Sequence, residues 1–413
     1  MSTRPPLHHR LRPVIGRDPD EAHRAATPLE LLYDLTFVIA FGATSSQLAH
    51  GIAEGHAGPA LIAFAFSTFA VSWAWINYAW WASAFDTDDW FVRLMTLVQM
   101  SGVLIMALGI PDVFRSIEHG ALEYGVVVLG YVVIRVGQLS LWLRVAMQDP
   151  AHRRPALAFA ASLLIAQLGW SALGLSQPPL GVALLVTIPL YLVELLGPVV
   201  AELRLGPTPW HAHHIGERYS LIVIITLGEV VLGTASTVSA IVQEHGWSTD
   251  AALVAFAGTA LAFSLWWVYF TLPSGAVLRR HRRRGFVWGY GHIVVFGALV
   301  AVGAGLDVAA LATEGESALD PVSVAMSVAV PTGVLLTAFA VLYSLLFRAF
   351  DPFHLVLFAG ALALLVLSGL SAAAGAPLVA WLGLIVLAPV VVIVGFETVG
   401  HRHQARLLER VLP

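Results

Sequence analysis

The sequence predicts an all-α, polytopic membrane bundle of about 12 transmembrane helices, and its composition and hydropathy pattern are the first evidence for this. The chain has 413 residues, of which 58% are hydrophobic and only 12% are charged. A soluble domain carries about 25% charged residues, so this chain lacks the charged groups that would cover soluble domains of the same length. The composition therefore argues against a soluble enzyme, a nucleic-acid-binding domain and a disordered protein. The small net charge of −4 gives no reason to expect a polyanionic partner.

Twelve stretches are apolar and long enough to cross a membrane, which requires roughly 20 residues per helix. They are residues 29–50, 59–84, 91–110, 121–147, 156–175, 179–200, 217–242, 251–272, 287–311, 321–347, 353–375 and 377–399.

Arginine placement orients these helices, because cytosolic loops collect positive charge. With the N-terminus inside, every arginine falls on an inner segment except Arg115, on an outer loop, and Arg135, within a span. The outer loop 312–320 is acidic instead. We predict a multi-pass protein of the plasma (inner) membrane, surrounded by the lipid bilayer, with both termini cytoplasmic.

An internal duplication is indicated by an ordered series of matches between the two halves. Residues 63–65 repeat at 255–257, the pair Asp112-Val113 repeats at 307–308, and Asp149-Pro150-x-His152 repeats at 351–354. We predict a flexible cytosolic tail (1–27), a six-helix repeat (28–200), a cytosolic linker (201–216), a second six-helix repeat (217–400) and a cytosolic tail (401–413). Six spans per repeat make the repeats parallel, and transporters often place their site between such repeats. A duplication without transport is the alternative. The Asp-Pro pairs are typical of helix starts.

The start of the first span carries two acidic residues, Glu30 and Asp34, four residues apart and therefore on one helix face. Thr27 and Glu30 fit a capping box, which is the structural interpretation of Glu30. Asp34 lies one turn deeper, where capping does not explain it. Like charges at this spacing repel, so we expect either a protonated carboxyl group or a cation between them, most simply an arginine.

A second polar group precedes and enters the seventh span, with His211, His213, His214, Glu217 and Arg218. The spacing differs from that of a zinc-binding helix, so an interfacial polar cap is favoured over a metal site. Arg218 is the predicted cation for Glu30 and Asp34, because spans 1 and 7 hold equivalent places in the two repeats.

Glu229 and Arg135 are the deepest charged groups in their spans. Glu229 follows Arg218 by about 16 Å along a helix, among apolar neighbours. It is predicted to be protonated or paired with a cation, and either to bind a proton or cation or to join two helices by a hydrogen bond. Arg135 needs an anionic partner, for which Glu194 and Glu229 are candidates.

Three further features are less specific. Trp73 and Trp75 are expected either to line a pocket or to pack as apolar side chains. The acidic residues at 86, 88 and 89 are interpreted as a solvated loop. Cysteine and lysine are both absent, which excludes thiolate and Schiff-base chemistry. No cofactor and no metal are predicted.

Two motifs resemble the low-temperature-requirement protein A (LtrA-like) family of bacterial membrane proteins. The first is Thr27-Pro28-Leu29-Glu30-Leu31-x-x-Asp34-Leu35-x-Phe37-Val38, and the second is His214-x-x-Glu217-Arg218-x-x-Leu221-x-x-Ile224-x-x-Leu227-Gly228-Glu229. Tyr33 and Tyr219 depart mildly from the phenylalanine expected there. The resemblance implies an integral membrane protein whose family name reflects growth at low temperature, and it brings no established substrate.

Three functions remain open from the sequence. The first is a secondary transporter or ion-translocating protein that moves a small solute or a proton, with Glu229 as the coupling carboxylate. The second is an intramembrane enzyme acting on a lipid or isoprenoid, in which acids and tryptophans would support a carbocation. The third is a non-catalytic membrane sensor or scaffold. The substrate and the oligomeric state are not predicted.

Overall fold

The computed structural model describes residues 11–21, 24–349 and 351–412, and no strand occurs among them. The helices are α1 (Pro28–Ala53), α2 (Ala57–Phe85), α3 (Trp90–Glu118), α4 (Gly125–Gln148), α5 (Arg153–Ser176), α6 (Leu180–Val200), α7 (Ala212–His245), α8 (Thr249–Phe270), α9 (Ser274–Arg280), α10 (Gly285–Thr313), α11 (Pro321–Phe347), α12 (Pro352–Ala373), α13 (Leu378–Gly395) and α14 (His401–Val411).

Each of the twelve predicted stretches forms a helix within a few residues of its expected bounds, which confirms the all-α bundle. Within the described residues, 11 helices are long and apolar enough to cross a membrane. The twelfth stretch is α1, which has 26 residues and is more polar because it carries Glu30, Asp34 and several hydroxyl side chains. Two short helices, α9 and α14, lie outside the predicted spans.

Helix starts follow the expected chemistry at Asp351 but not at Asp149. Asp351 caps α12 by accepting the backbone N–H of Phe353 at 3.0 Å, directly before Pro352. The α5 helix begins only at Arg153, because a turn closed by the His152 N–H on the Asp149 carbonyl comes first. The Asp149 side chain accepts from Ala151 as Asp351 does from Phe353, and it also accepts the N–H of Gly16. The prediction of a helix start at Asp149-Pro150 is therefore wrong by about one turn.

The structure divides into two compact units, and unit 1 comprises Met1–Ala40 and Trp73–Ile215. In unit 1, α3 packs on α4, α4 on α5 and α5 on α6. Glycines allow the closest of these approaches: a Cβ on Gly130 would lie 2.4 Å from the backbone nitrogen of Met106 and 2.6 Å from the carbonyl oxygen of Gly102.

Part of the predicted flexible tail is held against unit 1. The backbone N–H of Val14 donates to Gln148 at 2.9 Å, and that of Gly16 donates to Asp149 at 2.8 Å. The Val14 side chain is completely buried. Residues 11–17 are thus fixed by hydrogen bonds from distant helices, which the polar composition of the segment could not indicate. Residues 1–10, 22 and 23 of the predicted tail lie outside the described residues.

Helix also extends into the predicted linker. A π-helical turn, Ala201–Leu205, continues α6, and α7 already begins at Ala212. Irregular backbone is confined to residues 206–211, where Pro207 and Pro209 disfavour a helix.

Unit 2 comprises Phe41–Ser72 and Gly216–Pro413. Here α10 packs on α11, α11 on α12, α12 on α13, and α13 on α8. A π-helical turn, Phe396–Gly400, joins α13 to α14. The predicted tail 401–413 is therefore largely helical, and Gln404 anchors it by donating to the Thr271 carbonyl at 2.9 Å. Pro413 lies outside the described residues.

Candidate functional site

The first polar cluster, at the start of α1, lies in unit 1. The backbone N–H of Thr27 donates to Glu30 at 2.7 Å, and the Thr27 hydroxyl accepts the N–H of Glu30 at 3.3 Å. This reciprocal pair is the capping box that the sequence predicts. Glu30 is completely buried, and its carboxylate also contacts Nε2 of His214 at 3.1 Å. Glu30 therefore has a structural task and a titratable partner at once.

Asp34, one turn further along α1, is equally buried and is stabilised by an indole. The Trp75 Nε1–H donates to its carboxylate at 2.6 Å. Beside it, the rings of Tyr33 and Tyr78 lie 4.0 Å apart. The structure thus gives Trp75 a polar contact that the sequence did not assign to it.

Arg135 has Glu194 as its partner in unit 1, which decides between the two partners considered from the sequence. The ion pair joins Arg135 on α4 to Glu194 on α6 at 2.7 Å, and both side chains are almost fully buried. Trp73 Nε1–H donates to the same carboxylate at 2.7 Å. The ion pair and the added hydrogen bond leave neither charge isolated in an apolar surrounding, although the Arg135 Nε–H has no partner among the described residues.

His211, directly before α7, behaves as a helix cap, and His213 and His214 lie in the first turn of that helix. His211 Nδ1 accepts the backbone N–H of His214 at 3.2 Å, and its Nε2–H donates to the Glu21 carbonyl at 2.8 Å. Both ring nitrogens of His211 are thus occupied, while His213 is exposed. These contacts support the polar cap over a metal site.

Arg218 and Glu217 lie one turn further along α7, in unit 2. Arg218 is completely buried, and Glu217 is half-buried with one carboxylate oxygen that has no hydrogen-bond partner among the described residues. The predicted contact of Arg218 with Glu30 and Asp34 stays a prediction.

Glu229 lies near the middle of α7, a helix of 34 residues, and only 5% of its surface is exposed. A Cβ on Gly42 of α1 would lie 3.5 Å from its carboxylate, and one on Gly303 of α10 would lie 2.6 Å from its carbonyl oxygen. Gly303 therefore lets α10 approach the backbone of this residue closely, whereas Gly42 leaves room for an ordinary contact with the carboxylate. No arginine or histidine in the described part of the chain forms an ion pair with it.

Three residues of unit 2 near Glu229 were not selected from the sequence: Ser45, Asp307 and His50. The Ser45 hydroxyl is placed to bond to the Glu229 carboxylate, and the Asp307 carboxylate interacts with it electrostatically. His50 in turn interacts electrostatically with Asp307. The Ser45 hydroxyl itself donates to the Val300 carbonyl at 3.3 Å. Asp307 could have been selected, because it repeats Asp112 in the duplicated pattern.

Two of the three aspartates in the loop between α2 and α3, Asp86 and Asp89, are buried. The interpretation of this segment as a solvated loop is therefore wrong for these two residues. Asp89 caps α3 and forms an ion pair with Arg144. Burial alone would raise the pKa of Asp89, but the donors Arg144, Val92 and Arg12 hold it well below its usual range. Asp88 remains exposed and pairs with Arg93 at 3.0 Å.

The site residues thus differ in chemistry. In unit 1, each buried carboxylate among the predicted site residues has a donor in the described structure. In unit 2, Glu229 is enclosed by apolar helices without a cation. A carboxylate in this state can take up and release a proton or a cation, because the charged form has little compensation.

Comparisons with known proteins agree with this assignment to the membrane. The chain is similar to an uncharacterised protein of Rhizobium meliloti (strain 1021), with 28% identity over 294 residues that cover 67% of this chain and 68% of the relative. With its long apolar helices, the protein is an integral, multi-pass membrane protein surrounded by lipid. The sequence model of the bacterial low temperature requirement A protein (LtrA) matches residues 25–389, and the chain therefore belongs to this family.

Proposed function

We propose that this protein is a secondary transporter or ion-translocating protein, and that Glu229 is its proton- or cation-binding carboxylate. The observation that supports this most strongly is the position of Glu229, near the middle of a long apolar helix and without an ion-pair partner in the described structure. A charge inside a membrane is costly, so ionisable groups there usually serve ion or proton pathways.

Two further titratable residues of unit 2, Asp307 and His50, extend the proposal. Asp307 lies on α10 two residues beyond Gly305, and His50 lies in the last turn of α1. The charges of Glu229 and Asp307 act on each other, as do those of Asp307 and His50. In our proposal, a proton or cation reaches Glu229 through this series of titratable groups.

The proposal extends to the organisation and placement of the chain. Within each unit, consecutive helices pack in the same order, α3 to α6 in one and α10 to α13 in the other. This order supports two parallel six-helix repeats at 28–200 and 217–400. We place the protein in the plasma membrane with both termini in the cytoplasm, on the basis of the arginine distribution.

The decisive experiment measures ion flux in liposomes that contain the purified protein. Proton, sodium and potassium gradients are imposed in turn, and the flux of each ion is followed with an enclosed fluorescent indicator. We expect flux of at least one ion above that of protein-free liposomes. Glu229→Gln removes the charge but keeps the shape of the side chain, so we expect flux to fall to the protein-free level and its pH dependence to disappear.

Two further variants make this test specific. Asp307→Asn should slow the flux, because it removes the second group of the series. Glu397→Gln is the matched control, since Glu397 is exposed and bonded to Trp267 at 3.0 Å, and it should leave the flux unchanged. Wild-type protein without flux of any of the three ions would contradict the proposal, as would undiminished, pH-dependent flux in Glu229→Gln.

A further inference from the structure

An apolar cavity opens at one end of unit 2, away from Glu229. It lies between the end of α8, the last turns of α11, the first turns of α12 and the end of α13. Most of its wall is hydrocarbon or aromatic, and the lining includes Val268, Leu272, Phe339, Phe358, Val392 and Phe396. A cavity at the ends of membrane helices is within reach of molecules that lie in the bilayer.

Two polar atoms on the cavity-lining side chains have no partner. The hydroxyl of Tyr343 and Nε2 of His354 are both buried, and neither forms a hydrogen bond with any described residue. His354 is only 8% exposed. The two rings stack with their centroids 4.8 Å apart, so the two side chains lie next to each other in the cavity wall. Leaving such groups unpaired costs about 1–3 kcal/mol each.

The orientation of His354 shows which role its Nε2 plays. Its Nδ1 lies 2.8 Å from the Asp351 carboxylate, which His403 contacts at 3.0 Å. Burial raises the pKa of Asp351, but hydrogen bonds from His354, from the Phe353 backbone and from His403 outweigh it and hold that pKa below its usual value. With Nδ1–H directed at the Asp351 carboxylate, the Nε2 atom is the hydrogen-bond acceptor of the neutral tautomer of this ring.

The backbone next to the cavity is irregular. The π-helical turn Phe396–Gly400 interrupts the helix at this point, and such turns are frequent at functional sites. Gly400 lies so close that a Cβ there would be 3.2 Å from His354 Nε2. A larger residue at 400 would crowd the unpaired nitrogen.

We propose that this cavity binds an amphiphile with an apolar body and a single hydroxyl head group. The hydroxyl donates its proton to His354 Nε2 and accepts the proton of the Tyr343 hydroxyl, which satisfies both buried groups at once. The cavity itself holds the head group, and the apolar body extends from its open side along the aromatic and aliphatic residues of the wall. A carboxylate head fits less well, because it has no proton to donate to Nε2.

The test uses photoreactive probes on the full-length protein in lipid vesicles. One probe is a diazirine-bearing hexadecanol, and the others are its methyl ether, the corresponding hexadecanoic acid and a diazirine-bearing hexanol. Cross-links are mapped to peptides by mass spectrometry. We expect the long alcohol to label α11 and α12 roughly tenfold more than the ether, because the ether cannot donate a hydrogen bond. Stronger labelling by hexadecanol than by hexanol indicates a ligand from the bilayer, and the reverse indicates a water-soluble alcohol.

Two variants separate the hydroxyl contacts from simple apolar packing. Tyr343→Phe keeps the ring and loses only the hydroxyl, and His354→Asn keeps a donor toward Asp351 and loses Nε2. Each should lower labelling by hexadecanol several-fold. The matched control is His152→Asn, since His152 makes the equivalent contact with Asp149 at 2.7 Å in unit 1.

Two results would overturn the proposal. Equal labelling by the alcohol and the ether in the wild-type protein means that the cavity selects no hydroxyl, and this comparison holds even if a variant fails to fold. Labelling by the acid that exceeds labelling by the alcohol would assign a different head group.

Discussion

At the scale of single residues, the carboxylates of unit 1 show how differently burial acts on acids of the same type. Asp89 accepts hydrogen bonds from five residues and is held as an anion, whereas Asp86 in the same loop accepts the backbone N–H of Asp88. The pKa of Asp86 is raised to about 6, chiefly by burial and also by the charge of Glu30, while the Asp88 N–H and Arg24 act in the opposite direction.

This shift predicts a pH-dependent stability. The folded protein binds the Asp86 proton more tightly than the unfolded chain, whose pKa is 3.8, so the stabilisation is complete below about pH 4 and is lost as the pH rises to about 6. The difference between the two pKa values corresponds to a change of about 3 kcal/mol in the free energy of unfolding. Asp86→Asn should therefore flatten the dependence of Tm on pH between 4 and 6 and raise Tm above pH 6.

Thermal unfolding in detergent micelles at several pH values measures this effect. Asp20→Asn is the control, because Asp20 is exposed and its charge is not among those that shift the pKa of Asp86. If Asp86→Asn retains the slope of the wild-type protein between pH 4 and 6, the role assigned to Asp86 is wrong.

Local residue contacts were predictable from the sequence, and distant ones were not. The capping box of Thr27 and Glu30 follows from a spacing of three residues, and the structure contains it. The contact between Asp34 and Trp75 joins different helices, and no local pattern specifies it. For Arg135, the sequence supplied the need for an anion, but only helix packing selects Glu194.

At the scale of helices, hydropathy fixes where each span lies, because every backbone polar group in lipid must be satisfied within the helix itself. The closeness of neighbouring helices depends on a few small residues. Gly102 and Gly130 face each other across α3 and α4, and the Cβ positions of both clash with the backbone of the other helix. Sequence periodicity does not reveal such reciprocal contacts.

The glycine contact predicts a large effect from one methyl group. Gly130→Ala would place its Cβ 2.4 Å from the Met106 nitrogen, so α3 and α4 must separate, and overpacking of this kind costs about 1–3 kcal/mol. We expect a lower Tm in micelles. Gly125→Ala, in the same helix but with open space around it, should leave Tm unchanged or raise it slightly. A Gly130→Ala protein as stable as Gly125→Ala would show that the approach of these helices is not tight.

At the scale of the whole molecule, the duplicated pattern and the arginine distribution are properties of the entire chain, and neither depends on a particular contact. The structure adds detail that these patterns do not contain. Residues 11–17 bind unit 1, and α14 binds unit 2, both through main-chain groups or side chains that carry no recognisable motif. Segments that composition assigns to tails are therefore part of the folded protein.

The predicted topology, with both termini in the cytoplasm, can be tested cleanly because the chain contains no cysteine. Single cysteines at Glu123 and Glu316 would lie on outer loops, and single cysteines at Arg154, Arg283 and Glu409 would lie on inner segments, all at exposed positions. A membrane-impermeant maleimide added to intact cells should label the first two variants and leave the other three unlabelled. After the cells are permeabilised, all five should react, which controls for exposure. The positive-inside rule requires this pattern. Labelling of Arg283→Cys or Glu409→Cys in intact cells would reverse the orientation, and labelling that differs between Glu123→Cys and Glu316→Cys would contradict the parallel arrangement of two six-helix repeats.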